Sequence, residues 1–243
     1  MTPGTLLTLG GGGFSMPEVH GQAFSPLDDL LLSLTGKAHP RVCFVPTASG
    51  DAASYIERFE SAFAARAEIS VLSLFGRDGD GFRGPILNRP AMLLDQDAVY
   101  VGGGSTANLL AVWRLHGLPD LLTQAAGGGT VLAGISAGMN CWYAASSTDS
   151  FGPLAPLHDG LGLITGSACP HYDGEAERRA TYLGWIGEGS LPDGYAADDG
   201  VALLWRDGEL VEAVSERPDG RAFRVTRHGG TAVETPLPVR VLG

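Results

Sequence analysis

The chain has 243 residues, of which 44% are hydrophobic and 18% charged, and its formal net charge is −11. That apolar share excludes a disordered chain, the negative charge opposes a phosphate backbone and so nucleic acid as a partner, and no apolar run reaches the roughly 20 residues that span a bilayer. Three widely spaced cysteines, Cys43, Cys141 and Cys169, with no CxxC pair, argue against a disulfide framework or a structural zinc site and for a reducing compartment. No basic n-region follows Met1, so no signal peptide is read and the expected location is cytoplasmic.

Short apolar runs alternate with longer helix-compatible stretches. The first predicted strand covers 5–9 and ends in Gly10–Gly13. A helix follows over 27–34, with Ser25 as its cap and Pro26 at its first position. Next come a strand over 41–46, a helix over 52–67 and a strand over 69–74. A short strand over 98–101 runs into Gly102–Gly104 and a helix over 106–116, then a helix over 118–126 and a strand over 130–135. Strands apolar on both faces, separated by helices, predict an α/β fold with a mostly parallel sheet. Ligands of such sheets sit at the carboxyl ends of the strands, where the glycine clusters and Ser136 lie. A strand-like run over 161–164 precedes His171. In the last quarter, runs over 201–205, 209–214, 221–226 and 231–234 are separated by Arg-Asp-Gly, Pro-Asp-Gly and His-Gly-Gly turn signals. They predict antiparallel strands along one edge of the main sheet, so that 1–243 reads as a single α/β domain.

The most informative segment is Gly134-Ile135-Ser136-Ala137-Gly138, a G-x-S-x-G pattern directly after the strand over 130–135. A serine on a sharp strand-to-helix turn holds its Oγ exposed on strained backbone, and small residues two positions either side let the turn close. The Ala137 amide is then placed as an oxyanion donor. The competing reading is a glycine-lined turn with an incidental serine. A nucleophilic serine needs a base. Of six histidines, His171, in Ala168-Cys169-Pro170-His171-Tyr172, has the most suggestive loop setting; His20, His39, His116, His158 and His228 lie in polar or turn-rich contexts. The acid that would orient the imidazole is open among Asp149, Asp173, Asp198 and Asp199.

With Leu9–Gly13 (LGGGG), Val101–Leu110 (VGGGSTANLL), Gly134–Asn140 (GISAGMN), Pro170-His171-Tyr172 and Asp199-Gly200 in this order, the chain resembles the peptidase E family of serine peptidases, which includes aspartyl dipeptidases and is related to cyanophycinases. The resemblance covers roughly 190 residues. It implies a flavodoxin-like fold akin to class I glutamine amidotransferases, with helices on both faces of the sheet. It further implies a Ser136–His171 pair acting on short peptides through an acyl-enzyme. The third member aligns with Asp199, where relatives usually carry Glu, and Asp149 stands as the alternative. Gly103, Gly104 and Ala137 are implied for the oxyanion hole, and Ser105, Tyr172 and Arg178 for substrate binding. The chain departs from the family's pattern at Ser105, where relatives usually have Asn after the glycine triplet, and at Glu177, where aspartyl dipeptidases have an arginine for the substrate's acidic side chain. A carboxylate there repels an Asp substrate, which argues against strict specificity for N-terminal Asp. No metal or organic cofactor is expected. Dimers occur in the family; Tyr182 and Trp185 serve either such a contact or the core.

Rival readings are a cyanophycinase-like isopeptide hydrolase, a glutamine-amidotransferase-like activity, a nucleotide-binding module and a non-catalytic binding protein on the same fold. The amidotransferase needs a thiol at the elbow, and Cys141 falls five residues late. The nucleotide module needs a third glycine at 15, where Ser15 stands.

Overall fold

The structure is a computed structural model that describes residues 4–75, 84–174 and 176–243. Its main sheet has nine strands, in the order Val239–Val241, Glu209–Ser215, Val201–Arg206, Thr5–Leu9, Val131–Ile135, Ala98–Val101, Arg41–Val45, Glu68–Leu72, Ile86–Leu87. From Thr5–Leu9 to Ile86–Leu87 every neighbouring pair is parallel; Val201–Arg206 joins the first strand antiparallel. This is the mostly parallel α/β sheet that the strand–helix alternation predicts.

Alternation of side chains divides the apolar residues between the two faces. Leu7, Leu9, Val42, Phe44, Val71, Tyr100 and Ala133 pack with helices Pro26–Leu34 and Ala53–Phe63 on one face. Leu6, Cys43, Val45, Leu72, Val99, Val101 and Leu132 pack with helices Thr106–Leu115 and Leu118–Gly127 on the other. Ser25 caps Pro26–Leu34, accepting from the N–H groups of Leu27 and Asp28; such a cap contributes about 1 kcal/mol.

The second half departs from expectation. A separate six-stranded sheet runs in the order Thr231–Pro236, Ala222–His228, Gly194–Ala197, Ile164–Cys169, Tyr143–Thr148, Ala155–Leu157. Tyr143, Leu157, Ile164 and Ala168 bring it against the face of the main sheet that carries Leu6 and Val101. Only Val201–Arg206 and Glu209–Ser215 of the four predicted late runs extend the main sheet; Ala222–His228 and Thr231–Pro236 belong to the second. Arg-Asp-Gly and His-Gly-Gly are tight hairpins, with positive φ at Asp207, Gly208, Gly229 and Gly230. Pro-Asp-Gly is instead a crossover between sheets. The chain leaves the main sheet there because Glu216 is drawn into a buried pocket by Ser25 and the Gly13 amide, and Asp198 takes the Arg221 N–H at 3.1 Å. The strand before His171 is Ile164–Cys169, three residues later than the predicted run begins.

Among the described residues, no helix is long and apolar enough to cross a membrane.

Candidate active site

The glycines after the first strand organise the site. Leu9 O accepts the Ser136 N–H at 3.1 Å, Gly10 O accepts the His171 N–H at 3.1 Å, and Gly11 O accepts the Gly200 N–H at 3.1 Å. Three consecutive carbonyls of one chain segment thus hold three distant segments side by side. This needs side-chain-free backbone. A Cβ on Gly10 would lie 2.4 Å from Ala197 O, one on Gly11 2.0 Å from Asp199 Oδ1, and one on Gly12 2.1 Å from Glu216 Oε1. Two of the three spaces are filled by carboxylates, which is opposed to a phosphate cradle and removes the nucleotide-binding reading.

Ser136 lies between Val131–Ile135 and the short helix Ala137–Asn140, with φ 56° and ψ −112°. That is strained backbone for a residue with a Cβ, a conformation found where structure is committed to function. The flanking glycines are required sterically: a Cβ on Gly134 would lie 2.2 Å from Gly138 O, and one on Gly138 2.3 Å from Val101 O. Ser136 is partly exposed. Gly103 stands beside it, where a Cβ would lie 3.3 Å from Ser136 Cβ and 3.8 Å from its Oγ.

His171 follows strand Ile164–Cys169 in the second sheet and also has positive φ, 51°. Its Nδ1 lies 2.6 Å from Asp199 Oδ1, with the two side chains 19% and 15% exposed, so the pair is reachable from solvent. Asp199 sits where the chain passes from strand Gly194–Ala197 of the second sheet to Val201–Arg206 of the first. Its N–H donates to Asp173 Oδ1 at 2.9 Å, and Arg217 Nη2 binds the other Asp173 oxygen. Among the described residues the Ser136 hydroxyl makes no hydrogen bond, and the His171 ring is held at Nδ1 by Asp199. Catalytic hydrogen bonds commonly tighten only when substrate is bound.

The other candidate acids are placed elsewhere. Asp198 is fully buried and paired with Arg221 at 2.9 Å. Asp149 is exposed on the turn after strand Tyr143–Thr148. Ser105 caps helix Thr106–Leu115 by accepting the Asn108 N–H at 3.3 Å.

Two expected substrate contacts require correction. Tyr172 is 2% exposed, packed against Tyr182 and Phe223, and its hydroxyl donates to Glu234 Oε1 at 2.5 Å. Its neighbour His171 turns at positive φ toward the site, which sends Tyr172 into the core. Arg178 is 3% exposed at the start of helix Arg178–Glu188. Neither presents a free surface to substrate. Arg179 is committed to Glu234, with its Nη2 2.7 Å from Oε2, and Glu177 is exposed. Glu175 lies outside the described residues. Tyr182 is core, its hydroxyl 2.8 Å from Ser167 Oγ. Cys141 is fully buried, and burial pushes its thiol well up from the ordinary range, the opposite of a nucleophilic thiolate.

Sequence reasoning passed over two buried acids behind the glycine loop. Glu216 accepts the Gly13 N–H at 2.9 Å and the Ser25 hydroxyl at 2.5 Å, and its own N–H donates to Gly200 O at 2.9 Å. Asp28 lies beneath Gly13 facing Tyr100, and neither its oxygens nor the Tyr100 hydroxyl has a hydrogen-bond partner among the described residues. Desolvation and the neighbouring Glu216 push the Asp28 carboxyl well above its usual 3.8. An acid raised on folding opposes stability once pH exceeds its unfolded value, and the penalty grows until pH reaches the folded value. Asp28→Asn is therefore expected to raise the thermal midpoint at neutral pH. The gain should vanish below about pH 3 and grow from about pH 4 upward. Melting curves across pH measure it; a gain that is the same at all pH would show that charge burial is not the cause.

The model of peptidase family S51 matches residues 6–213. The chain is similar to the uncharacterized peptidase YgaJ of Bacillus subtilis (strain 168), with 43% identity over 239 residues, 98% of this chain and 99% of that protein. It is 31% identical over 216 residues to peptidase E of Streptomyces coelicolor (strain ATCC BAA-471 / A3(2) / M145), covering 84% of this chain and 83% of the relative. In fold it is similar to the crystal structure of a peptidase from an acI-B1 Actinobacterium, with TM-score 0.69, 18% identity, and 98% and 95% of the two chains covered. The chain belongs to peptidase family S51, and it is a serine peptidase.

Proposed function

We propose that the chain hydrolyses short peptides through an acyl-enzyme on Ser136, with His171 as base and Asp199 orienting the imidazole. The observation that carries this reading is the set of three successive carbonyls, Leu9, Gly10 and Gly11, that gather Ser136, His171 and the Asp199-Gly200 turn. Asp199 on Nδ1 favours the tautomer with a proton there, leaving Nε2 as the acceptor. Ser136 Oγ gives its proton to Nε2 as it attacks the scissile carbonyl. The tetrahedral oxyanion is held by the Ala137 amide and one amide of the glycine triplet. Nε2–H then protonates the leaving amine as the C–N bond breaks. Water, deprotonated by the same nitrogen, releases the acid and restores Ser136. Each oxyanion donor contributes about 2.7–4 kcal/mol in such sites.

Specificity follows from the charges nearby. With Arg178 buried, Arg179 held by Glu234 and Glu177 exposed, none of these positions offers a cation to an acidic side chain. N-terminal Asp is expected to give no advantage over neutral residues. The test joins two measurements. A fluorophosphonate probe should modify the intact protein at Ser136, mapped by peptide mass spectrometry. A panel of dipeptides and tripeptides should then be cleaved without preference for Asp at the first position. Absence of labelling at Ser136 sinks the mechanism; a strong Asp preference sinks the specificity alone.

A further inference from the structure

Tyr55, on helix Ala53–Phe63, directs its hydroxyl toward the glycine triplet. The Gly103 N–H donates to that oxygen at 3.1 Å, and Ser15 Oγ lies 2.6 Å from it. The ring is fixed on several sides. It meets Phe44 edge-on at 5.1 Å and Phe14 at 5.6 Å, and the Arg58 guanidinium stands 5.0 Å above it. Arg58 Nη1 in turn donates to Ser15 O at 3.1 Å. Gly102 packs on the ring so closely that a Cβ there would lie 3.0 Å from Tyr55 Cε1. Ser15 belongs to the short turn Gly13–Ser15 that ends the first glycine loop, and Gly103 to the second, and Ser136 stands against Gly103. The Ser15–Tyr55–Gly103 chain therefore fastens together the two glycine loops around the proposed nucleophile.

This bears on the oxyanion hole. A single N–H directed at a phenol oxygen is not available in full to a second acceptor. Building on the mechanism above, we infer that Tyr55 is a positioning residue: by engaging the Gly103 N–H it sets the orientation of the glycine triplet, so that the Gly104 amide, with Ala137, receives the oxyanion. Gly104 has φ 136°, and a Cβ on it would lie 2.2 Å from Ala48 O, so its backbone is held from the other side as well.

The experiment uses the full chain and an alkyl fluorophosphonate, whose phosphoryl oxygen needs the same donors as a tetrahedral intermediate. Rates of Ser136 modification at varied probe concentration give a saturating rate and a half-saturation concentration. Tyr55→Phe keeps the ring and its packing and removes only the oxygen. The saturating rate is expected to fall roughly 10- to 100-fold, as misplacement of catalytic groups by about 1 Å does, with half-saturation and the thermal midpoint little changed. Ser15→Ala leaves the Tyr55–Gly103 bond but frees the hydroxyl on its other side, and should lower the rate less, in the same direction. A residue of merely structural value would lower thermal stability without moving the saturating rate, and that outcome overturns the inference. A faster Tyr55→Phe variant also overturns it, because the Gly103 N–H would then be the oxyanion donor with Tyr55 as its competitor. If the unsubstituted chain is not modified at Ser136, the mechanism fails and takes this role with it; normal modification of the chain with no effect of Tyr55→Phe sinks the Tyr55 role alone.

Discussion

Ser136→Ala is expected to lower kcat by a factor on the order of 10⁶, the loss typical when a serine nucleophile is removed while its oxyanion hole and binding surface remain. The chain should fold as before, because alanine meets the same backbone restriction at φ 56° as serine does. The separation of the two effects is sharper in a second variant. Ser136→Gly removes the nucleophile and also the Cβ that makes a left-handed conformation costly. Strain of that kind costs on the order of 1–3 kcal/mol, so this inactive variant should melt above the unsubstituted chain, offset in part by the greater freedom of glycine in the unfolded state. Peptide hydrolysis measured beside thermal melting reads both. A Ser136→Ala protein that still hydrolyses peptides at a near-normal rate would remove Ser136 from the chemistry.

The strained serine was readable because it comes with a short local signature: two glycines at fixed offsets, each with no room for a Cβ against Gly138 O or Val101 O. The parallel sheet was readable for a similar reason. Its strands, such as RVCFV and VLAGI, are apolar on both faces and separated by helices, and Ser25-Pro26 marks one helix start to the residue. The second sheet was largely illegible. Its strands include YAASST, ITGSAC and GYAA, which carry small residues and no sustained alternation. Their neighbours crowd them: a Cβ on Gly194 would lie 2.1 Å from Ser167 O of the adjacent strand and 2.4 Å from the Tyr182 hydroxyl of helix Arg178–Glu188. Such crowding is a property of the assembled fold and leaves no periodic trace. The same holds for Pro-Asp-Gly, whose turn chemistry suits a hairpin, whereas Glu216 and Asp198 draw its two flanks to different sheets.

The site divides in the same way. Family resemblance aligned Ser136, His171 and Asp199, and in the structure His171 and Asp199 meet at 2.6 Å. It also implied Tyr172 and Arg178 for substrate binding, because a side chain's direction is not visible in a motif. Tyr172 is next to a residue at positive φ, and that single backbone choice turns it inward. Tyr55 and Glu216 lie 48 residues before Gly103 and 203 residues after Gly13 respectively, a separation at which no spacing rule operates.

Asp199→Asn is expected to lower kcat by about 10⁴ with the fold retained, as loss of the orienting carboxylate does in a serine triad. Asparagine has the shape of aspartate, so the close packing of Gly11 and Gly174 on the side chain is undisturbed. What changes is the imidazole. With Nδ2–H₂ toward Nδ1, the His171 proton is driven to Nε2, which becomes a donor unable to accept the serine proton. Even in the other amide orientation, the charge that stabilises the imidazolium is gone. Asp199→Glu tests the same point by length. Family resemblance places Glu here, yet a Cβ on Gly11 would already lie 2.0 Å from Asp199 Oδ1 and one on Gly174 2.5 Å from Oδ2. An extra methylene has no space between the two glycines, so the longer acid should also lower kcat, with some loss of thermal stability. Asp149→Asn supplies the contrast. Asp149 is exposed on a different turn, whose Thr148 and Ser150 bond to Thr106 and Ala107 while His171 is held by Asp199, and its neutral variant should keep kcat within about twofold. A large loss in Asp149→Asn together with an active Asp199→Asn would transfer the orienting role to Asp149 and leave the 2.6 Å contact with His171 as a structural hydrogen bond.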